Sequence, residues 1–136
     1  MHHDRIRGDR FLIPHPLINF LGARRVSGFE IFAKYADLDR HVKACNVLIT
    51  GEGKFDRTDA QGKGPYLLAK MAEKHKKPIW VLCGTADISD SELAEMNFSN
   101  IKIGQIANIA PNIIEANNRA AKFLSAIARD FALELA

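Results

Sequence analysis

The chain has 136 residues, of which 47% are hydrophobic and 26% are charged, and its formal net charge is +3. These values fit one globular domain or part of one and exclude a disordered chain. The positive charge is small, and its one dense cluster, Lys74, Lys76 and Lys77, ends a predicted helix, where cations complement the helix dipole. A nucleic-acid partner is therefore not expected.

The apolar segments and the cysteines indicate a reducing, aqueous compartment. No run of apolar residues approaches the length of a membrane span, and the N-terminus lacks the apolar core of a signal peptide. Cys45 and Cys83 lie in apolar sequence without the spacing of a metal site or a disulfide scaffold. We expect a cytoplasmic protein with two buried, reduced thiols and no contact with a membrane.

The N-terminal part divides into an irregular segment and the start of the fold. Residues 1–16 are polar, charged and interrupted by two prolines, so we expect them to be irregular. Residues 17–136 should form the folded part. A helix end capped by Gly22 comes first, and a helix with one apolar face follows Gly28, with an interruption near Asp37.

The rest of the chain alternates strands and helices. Strands are predicted at 47–50, 79–83 and 101–106. Helices are predicted from Pro65 to the residues before Pro78, from a cap at Asp87 or Ser89 through Met96, and from Pro111 along an apolar stripe between Ile113 and Leu135. This order predicts an α/β fold with a parallel sheet covered by helices. Three strands leave two open edges, so we expect self-association, a partner chain or missing sequence to cover them.

The densest polar segment follows the first predicted strand. It contains three glycines and six charged residues, namely Gly51, Glu52, Gly53, Lys54, Asp56, Arg57, Asp59, Gly62 and Lys63. Glycine-rich, charged loops between a buried strand and a helix are where α/β enzymes hold their ligands. We therefore expect the functional site in this segment.

Two common phosphate motifs fail in this segment. A P-loop requires a glycine where Arg57 stands and a serine or threonine where Gly64 stands. The dinucleotide motif that Gly51 and Gly53 could begin requires a third glycine where Asp56 stands. The chain therefore has neither motif.

The residues that are present still fit phosphate chemistry. Glu52 and Asp56 offer oxygens for Mg²⁺ or a base for a hydroxyl. Lys63 stands at a helix start, where unpaired N–H groups favour anions. Carboxylates with a lysine are the parts that phosphoryl transfer uses. The alternative is a solvated loop whose charges pair with one another.

The run LITGEGKFDRTDAQGK resembles the signature of the type I glycerate kinase family. The positions that match are Thr50, Gly51, Glu52, Gly53, Asp56, Gly62 and Lys63, and Lys54 stands where arginine is usual. The flanking sequence agrees as well, at residues 19–23 (NFLGA), at Lys77-Pro78 and at Cys83-Gly84. The resemblance extends from Leu17 to the C-terminus and corresponds to about the last third of a family member.

The resemblance implies a fold and an activity. The fold would be a Rossmann-like, three-layer α/β domain with a parallel sheet, here incomplete as a fragment of a larger two-domain kinase. The activity would be Mg²⁺-dependent transfer of the γ-phosphoryl group of ATP to a hydroxyl of D-glycerate, giving phosphoglycerate. ATP and glycerate are the implied small-molecule partners, and the missing part of the kinase is an implied protein partner.

The resemblance also implies roles for individual residues. Asp56 would be the base or the carboxylate that positions the metal, and Glu52 would be the second carboxylate and metal ligand. Lys63 would neutralise phosphate charge. The remaining positions of the motif would shape or line the substrate and phosphate site, namely Thr50, Gly51, Gly53, Lys54 and Gly62.

The chain departs from the family pattern in two respects. Arg57, Thr58 and Asp59 stand where the family has Ser-Gln-Thr, which changes the charge of the site. The upstream part of the family fold has no counterpart in residues 1–16. A competing hypothesis follows, in which the chain is a non-catalytic remnant or a binding module that keeps the fold without the kinase activity.

Overall fold

The structure, a computed structural model, describes residues 20–22, 26–57 and 64–135. The helices are α1 (Gly28–Tyr35), α2 (Leu38–Ala44), α3 (Gly64–Lys74), α4 (Asp90–Glu95), α5 (Ile113–Asn118) and α6 (Ala120–Leu133). The strands are β1 (Leu48–Asp56), β2 (Ile79–Asp87) and β3 (Ile101–Gln105), and a 3₁₀ turn covers Ile106–Asn108. The irregular segment predicted for residues 1–16 lies outside the described residues.

The three strands form a parallel sheet in the order β1-β2-β3. The β1–β2 ladder runs from Leu48 opposite Ile79 to Asp56 opposite Asp87. The β2–β3 ladder begins with Ile79 opposite Ile101. The predicted α/β class and parallel sheet are confirmed, and β2 is the central strand of the described sheet.

Helices pack on both faces of the sheet. On one face, Val81 and Cys83 belong to a core that includes Val42 of α2 and Ala69 of α3. On the other face, β2 and β3 contact α6. Alternate residues of β2 thus point into two separate cores, which gives three layers.

The first two strands are longer than predicted, and the prediction of a loop at residues 51–56 is wrong. A Cβ on Gly51 would lie 2.7 Å from the Leu82 carbonyl oxygen, and one on Gly84 would lie 2.6 Å from that of Gly53. The glycines therefore allow β1 and β2 to approach closely and to continue their pairing. The charged segment up to Asp56 is the second half of a strand.

The helix boundaries follow local sequence signals in most places. Gly22 has a φ of 63°, as expected of a glycine that caps a helix, and Asp37 has a φ of 48° between α1 and α2, at the predicted interruption. Ser89, and not Asp87, caps α4. Its side chain accepts from the N–H of Glu92, whose side chain in turn accepts from the N–H of Ser89.

The prediction of one continuous C-terminal helix is wrong. Arg119 has φ −126° and ψ 27°, outside the helical region, and separates α5 from α6. The two asparagines before it have low helix propensity, which favours a break there. Ile113 is 69% exposed, so the predicted apolar stripe packs on the sheet only within α6, where Ile127 is buried. No helix in the described part of the chain is both long and apolar enough to cross a membrane.

Candidate active site

The carboxyl ends of β1 and β2 bring two carboxylates into register. Asp56 lies opposite Asp87, and Lys54 lies between their side chains. Its Nζ is 3.3 Å from Asp56 Oδ2 and donates to Asp87 Oδ2 at 3.1 Å. The hydrogen bond to Asp87, and then the one to Asp56, raises the pKa of Lys54. Like charges in register repel each other, and the ammonium group offsets that repulsion. We call these three residues the acid–lysine cluster.

The two carboxylates of the acid–lysine cluster differ in exposure. The side chain of Asp56 is 19% exposed, whereas that of Asp87 is 78% exposed. Both lie where strands of a parallel sheet end, the edge at which open α/β sheets bind ligands. Asp56 is therefore a sheltered carboxylate at a ligand-binding edge, and Asp87 faces solvent beside it.

Glu52 lies earlier on β1, opposite Cys83. Burial, followed by the nearby charge of Glu52, raises the pKa of the Cys83 thiol to about 11. Asp56 follows Glu52 by four positions of extended strand, which corresponds to about 13 Å between their Cα atoms. The structure therefore brings Asp56 next to Asp87, whereas Glu52 lies further from the carboxyl ends of the strands.

The other predicted site residues fall into three groups. Thr50 is half-buried inside β1, opposite Val81. Gly51 and Gly53 line a cavity, and Lys54 belongs to the acid–lysine cluster. Gly62 and Lys63 lie outside the described residues, as do Thr58 and Asp59, so their predicted roles stay predictions.

Sequence reasoning missed Asp87 as a member of the site. The sequence pattern indicates Asp87 only as a candidate helix cap, because it predicts that strand β2 ends at residue 83. One signal in the sequence points to Asp87. It follows the second predicted strand, just as Asp56 follows the first. Their pairing depends on the register between two distant segments, which the residue pattern of one strand does not determine.

Arg57, the first residue of the departure from the family pattern, points to α4. Its Nη1 lies 3.6 Å from Glu92 Oε1 and its Nη2 lies 3.6 Å from Glu95 Oε2. Exposed ion pairs of this kind contribute little stability. They nevertheless direct the guanidinium group toward α4, so that Lys54 is the basic residue paired with Asp56 and Asp87 in the described part of the chain.

A cavity of about 770 Å³ opens beside the strand ends on the α6 face of the sheet. Its floor is the backbone of β1 and β2, and its walls come from the 3₁₀ turn, α5 and α6. The floor includes Gly51, Gly53 and Gly84, and the helical wall includes Ala116 and Ala120. The volume lies in the range of small-molecule sites.

The described residues contain no group of three or more histidine, cysteine or acidic side chains that could hold a metal ion. The acid–lysine cluster provides two carboxylates that share one cation. Mg²⁺ is commonly bound by one or two carboxylates together with waters and substrate phosphates. Asp56 and Asp87 fit that type of site, in which the protein supplies only part of the coordination.

Comparison with known proteins assigns the chain to a family. The model of the glycerate kinase family matches residues 13–136. The chain belongs to the glycerate kinase family. The resemblance drawn from the segment that begins at Leu48 is thereby confirmed.

Individual relatives agree with this assignment. The chain is 39% identical over 69 residues to glycerate 2-kinase of Escherichia coli (strain K12), which covers 51% of the chain and 18% of that protein. It is 25% identical over 122 residues to glycerate kinase of Bacillus subtilis (strain 168), which covers 88% of the chain and 31% of that protein. The chain thus spans less than a third of the length of these relatives.

A solved structure agrees as well. The crystal structure assigned as glycerate kinase 2 from Salmonella typhimurium LT2 superposes with a TM-score of 0.56 at 25% sequence identity. The match covers 88% of this chain and 28% of that one. The three-stranded sheet therefore corresponds to part of a larger glycerate kinase fold, as the sequence predicted.

Proposed function

We propose that the chain forms part of a kinase that transfers the γ-phosphoryl group of ATP to a hydroxyl of D-glycerate. The observation that carries this proposal is the family match over residues 13–136. The sheltered carboxylate of Asp56 at the sheet edge supports it. Because the chain spans 18% and 31% of two relatives, we propose that the remaining polypeptide of such a kinase completes the active site.

Asp56 is proposed as the general base. Its carboxylate accepts the proton of the attacking glycerate hydroxyl, while the hydroxyl oxygen forms a bond to the γ-phosphorus. The bond between that phosphorus and the bridging oxygen of ADP breaks, and ADP leaves with the electron pair. Lys54 at 3.3 Å favours the ionised carboxylate that this role requires.

The alternative role of Asp56 is to position the metal, in which case we propose that Asp56 and Asp87 together hold Mg²⁺ in this kinase. When bound, the ion would neutralise charge on the phosphate oxygens. Lys54 bridges the same two carboxylates, and its ammonium group would then turn toward phosphate oxygens. Glu52, the second carboxylate of the family motif, lies about 13 Å from Asp56 along β1 and would not share this ion. Its predicted role as a metal ligand stays a prediction.

The remaining roles follow from the family motif. Lys63 and Gly62 are proposed to contact phosphate oxygens at the start of α3. Thr50, Gly51 and Gly53 are proposed to shape β1 so that Lys54 and Asp56 reach the sheet edge. The free cysteines are compatible with a reducing compartment, and we place the protein in the cytoplasm.

The exposed apolar residues are compatible with a protein partner. Phe32 and Tyr35 of α1 are 62% and 84% exposed, and Ile49 of β1 is 50% exposed. We propose that the rest of the kinase, or a second copy of the chain, covers them. Light scattering after size-exclusion chromatography tests the second case, because a monomer at all concentrations would exclude self-association.

The activity is tested by reconstitution. The chain is assayed alone and together with the part of Escherichia coli glycerate 2-kinase that precedes the matched region, and ADP release is measured with D-glycerate as acceptor. Asp56→Asn should lower the rate by about 10²–10⁴, the usual contribution of a general base. The matched control is Asp130→Asn, an exposed carboxylate on α6 that should leave the rate unchanged.

Two outcomes would contradict this proposal. Near-normal turnover by Asp56→Asn would end its assignment as the base. Absence of turnover by every wild-type combination would favour the non-catalytic remnant. Replacing Arg57, Thr58 and Asp59 with Ser-Gln-Thr then tests whether the departure from the family motif is the cause.

A further inference from the structure

We propose that the cavity between β1, β2 and the helices α5 and α6 binds the purine base of the nucleotide. This inference rests on the proposed function, which requires ATP but does not say where its base lies. The cavity occupies about 770 Å³, within the usual range of ligand pockets. It adjoins the acid–lysine cluster through Gly53, the neighbour of Lys54, and through Thr85, which lies opposite Lys54.

The shape of the cavity favours a flat ligand. Its floor contains Gly51, Gly53 and Gly84, so no side chain rises from the sheet at those positions. The facing wall contains Ala116 and Ala120, whose side chains are single methyl groups. Glycines on one side and alanines on the other leave a slot between sheet and helix. A planar ring can lie in such a slot with both faces in contact.

The chemistry of the lining favours a neutral ring over an anion. Among the described lining residues, Glu52 and Cys83 are the ionisable ones, and they lie opposite each other in the sheet. Cys83 belongs to the core on the other face with Val42, so by register both side chains point away from the α6 face. A carboxylate or a phosphate would meet no basic side chain among the described residues of the lining. Glycerate and the phosphates are therefore poor occupants.

A few polar groups at the rim can orient such a ring. Thr85, Asn112 and Asn117 line the cavity, and apart from Glu52 the other described lining residues are apolar. Asn112 uses its Oδ1 to accept from the N–H of Glu115, which fixes its side chain at the start of α5. Apolar walls with a small number of placed polar groups are characteristic of small-molecule sites, in which the polar groups fix the orientation of the ligand. With the base in this slot, the attached phosphates extend toward Lys54.

The test measures nucleotide binding without turnover. The chain is titrated with ADP carrying a methylanthraniloyl fluorophore, and unlabelled adenosine and tripolyphosphate are added as competitors. Adenosine should displace the probe from the wild-type chain, because the base holds it in the slot. Displacement by tripolyphosphate and not by adenosine would overturn the proposal.

Two neighbouring alanines give a matched pair of variants. Ala120→Phe fills the slot and should weaken probe binding by about tenfold or more. Ala121→Phe adds the same ring at an exposed position of α6 and should leave binding unchanged. Ala116→Leu fills the slot from α5 and provides a second test if Ala120→Phe does not fold, which circular dichroism would reveal.

The outcomes separate this inference from the proposed function. Unchanged binding by a folded Ala120→Phe or Ala116→Leu would overturn the inference, as would a wild-type chain that binds no probe. A segment of the remaining kinase would then be the better occupant of the slot. Neither result bears on glycerate phosphorylation by the reconstituted kinase, which Asp56→Asn tests independently.

Discussion

Phe131 of α6 packs edge to face against Trp80 of β2, with ring centroids 5.5 Å apart and ring planes inclined by 76°. Lys102 of β3 also lies over the Phe131 ring, with its Nζ 5.5 Å from the ring centre. The pair joins the C-terminal helix to the central strand. Because Trp80 is the single tryptophan of the chain, its fluorescence reports whether α6 is docked.

Replacing Phe131 with alanine should loosen α6. The residue is half-buried, so we expect Phe131→Ala to lower the free energy of unfolding by about 2–3 kcal/mol, less than for a fully buried phenylalanine. Denaturant unfolding followed by Trp80 fluorescence measures the change. Phe32→Ala is the control. Because Phe32 is 62% exposed, this substitution should lower the free energy of unfolding far less. Equal losses in both variants would contradict the packing of α6 on β2.

The pH dependence of stability should reveal the contact between α2 and α3. Asp39 Oδ1 lies 2.8 Å from Lys74 Nζ and 2.9 Å from His75 Nε2. The hydrogen bond from Lys74, and then that from His75, lowers the pKa of Asp39 from 3.8 to about 2. A carboxylate with a lowered pKa stabilises the fold above its unfolded pKa. That stabilisation is lost as the pH falls from about 4 to about 2.

Asp39→Asn should therefore be less stable than the wild type at pH 6, and the difference should vanish near pH 2. Thermal unfolding across this range measures it. The contact is exposed to solvent, so added salt should reduce the difference at pH 6. A constant difference at all pH values would mean that the ionisation of Asp39 is not its source.

Much of the fold could be predicted because its signals are local. The break at Asp37, the cap at Ser89 and the alternation of strands and helices each depend on a few neighbouring residues. The strand ends could not be predicted in this way. Gly51 and Gly84 are typical of loops, and only the closeness of the two backbones shows that they extend the pairing.

The same distinction applies to the candidate site. Asp56 and Lys54 could be identified from one short motif, because the family signature is contiguous. The pairing of Asp56 with Asp87 depends on the register of two parallel strands joined by a helix. The cavity depends on the position of α5 and α6 above the sheet. Long-range packing determines both the pairing of Asp56 with Asp87 and the cavity, so neither can be predicted from a local sequence pattern.

The two cysteines should differ in their reaction with an alkylating agent. Cys83 is 1% exposed, and its pKa is raised to about 11, so at pH 8 it is both shielded and protonated. Cys45 is half-buried, and its thiol donates to the Val42 carbonyl oxygen at 3.2 Å. Because the thiolate is the reactive form, iodoacetamide at pH 8 should label Cys45 first and Cys83 only after unfolding.

Mass spectrometry of the labelled, digested chain measures this difference between the cysteines. The Cys45→Ser variant is the matched control, because its native form should take up almost no label. Rapid labelling of Cys83 in the native protein would show that the cavity beside it admits solvent to the thiol.

The last prediction concerns Lys54 of the acid–lysine cluster. In Lys54→Met the carboxylates of Asp56 and Asp87 remain in register without the ammonium group between them, so their mutual repulsion should lower stability at pH 7. The raised pKa of Lys54 agrees with this expectation. The ammonium group stabilises the fold fully at neutral pH, and this stabilisation is lost only above pH 10.5.

Three comparisons make the test of Lys54 specific. Lys54→Arg, which restores the residue usual in the family, should keep the stability of the wild type, since a guanidinium group can also bridge two carboxylates. Adding Asp87→Asn to Lys54→Met should restore stability by removing the repulsion. Mg²⁺ should raise the melting temperature of Lys54→Met more than that of the wild type, because the ammonium group of Lys54 no longer offsets the charge of the two carboxylates. The contrary result is a Lys54→Met variant that has the stability of the wild type at pH 7 and whose melting temperature does not change with Mg²⁺. In that case Asp56 and Asp87 do not share a cation, and the proposal that they hold the metal of the kinase is wrong.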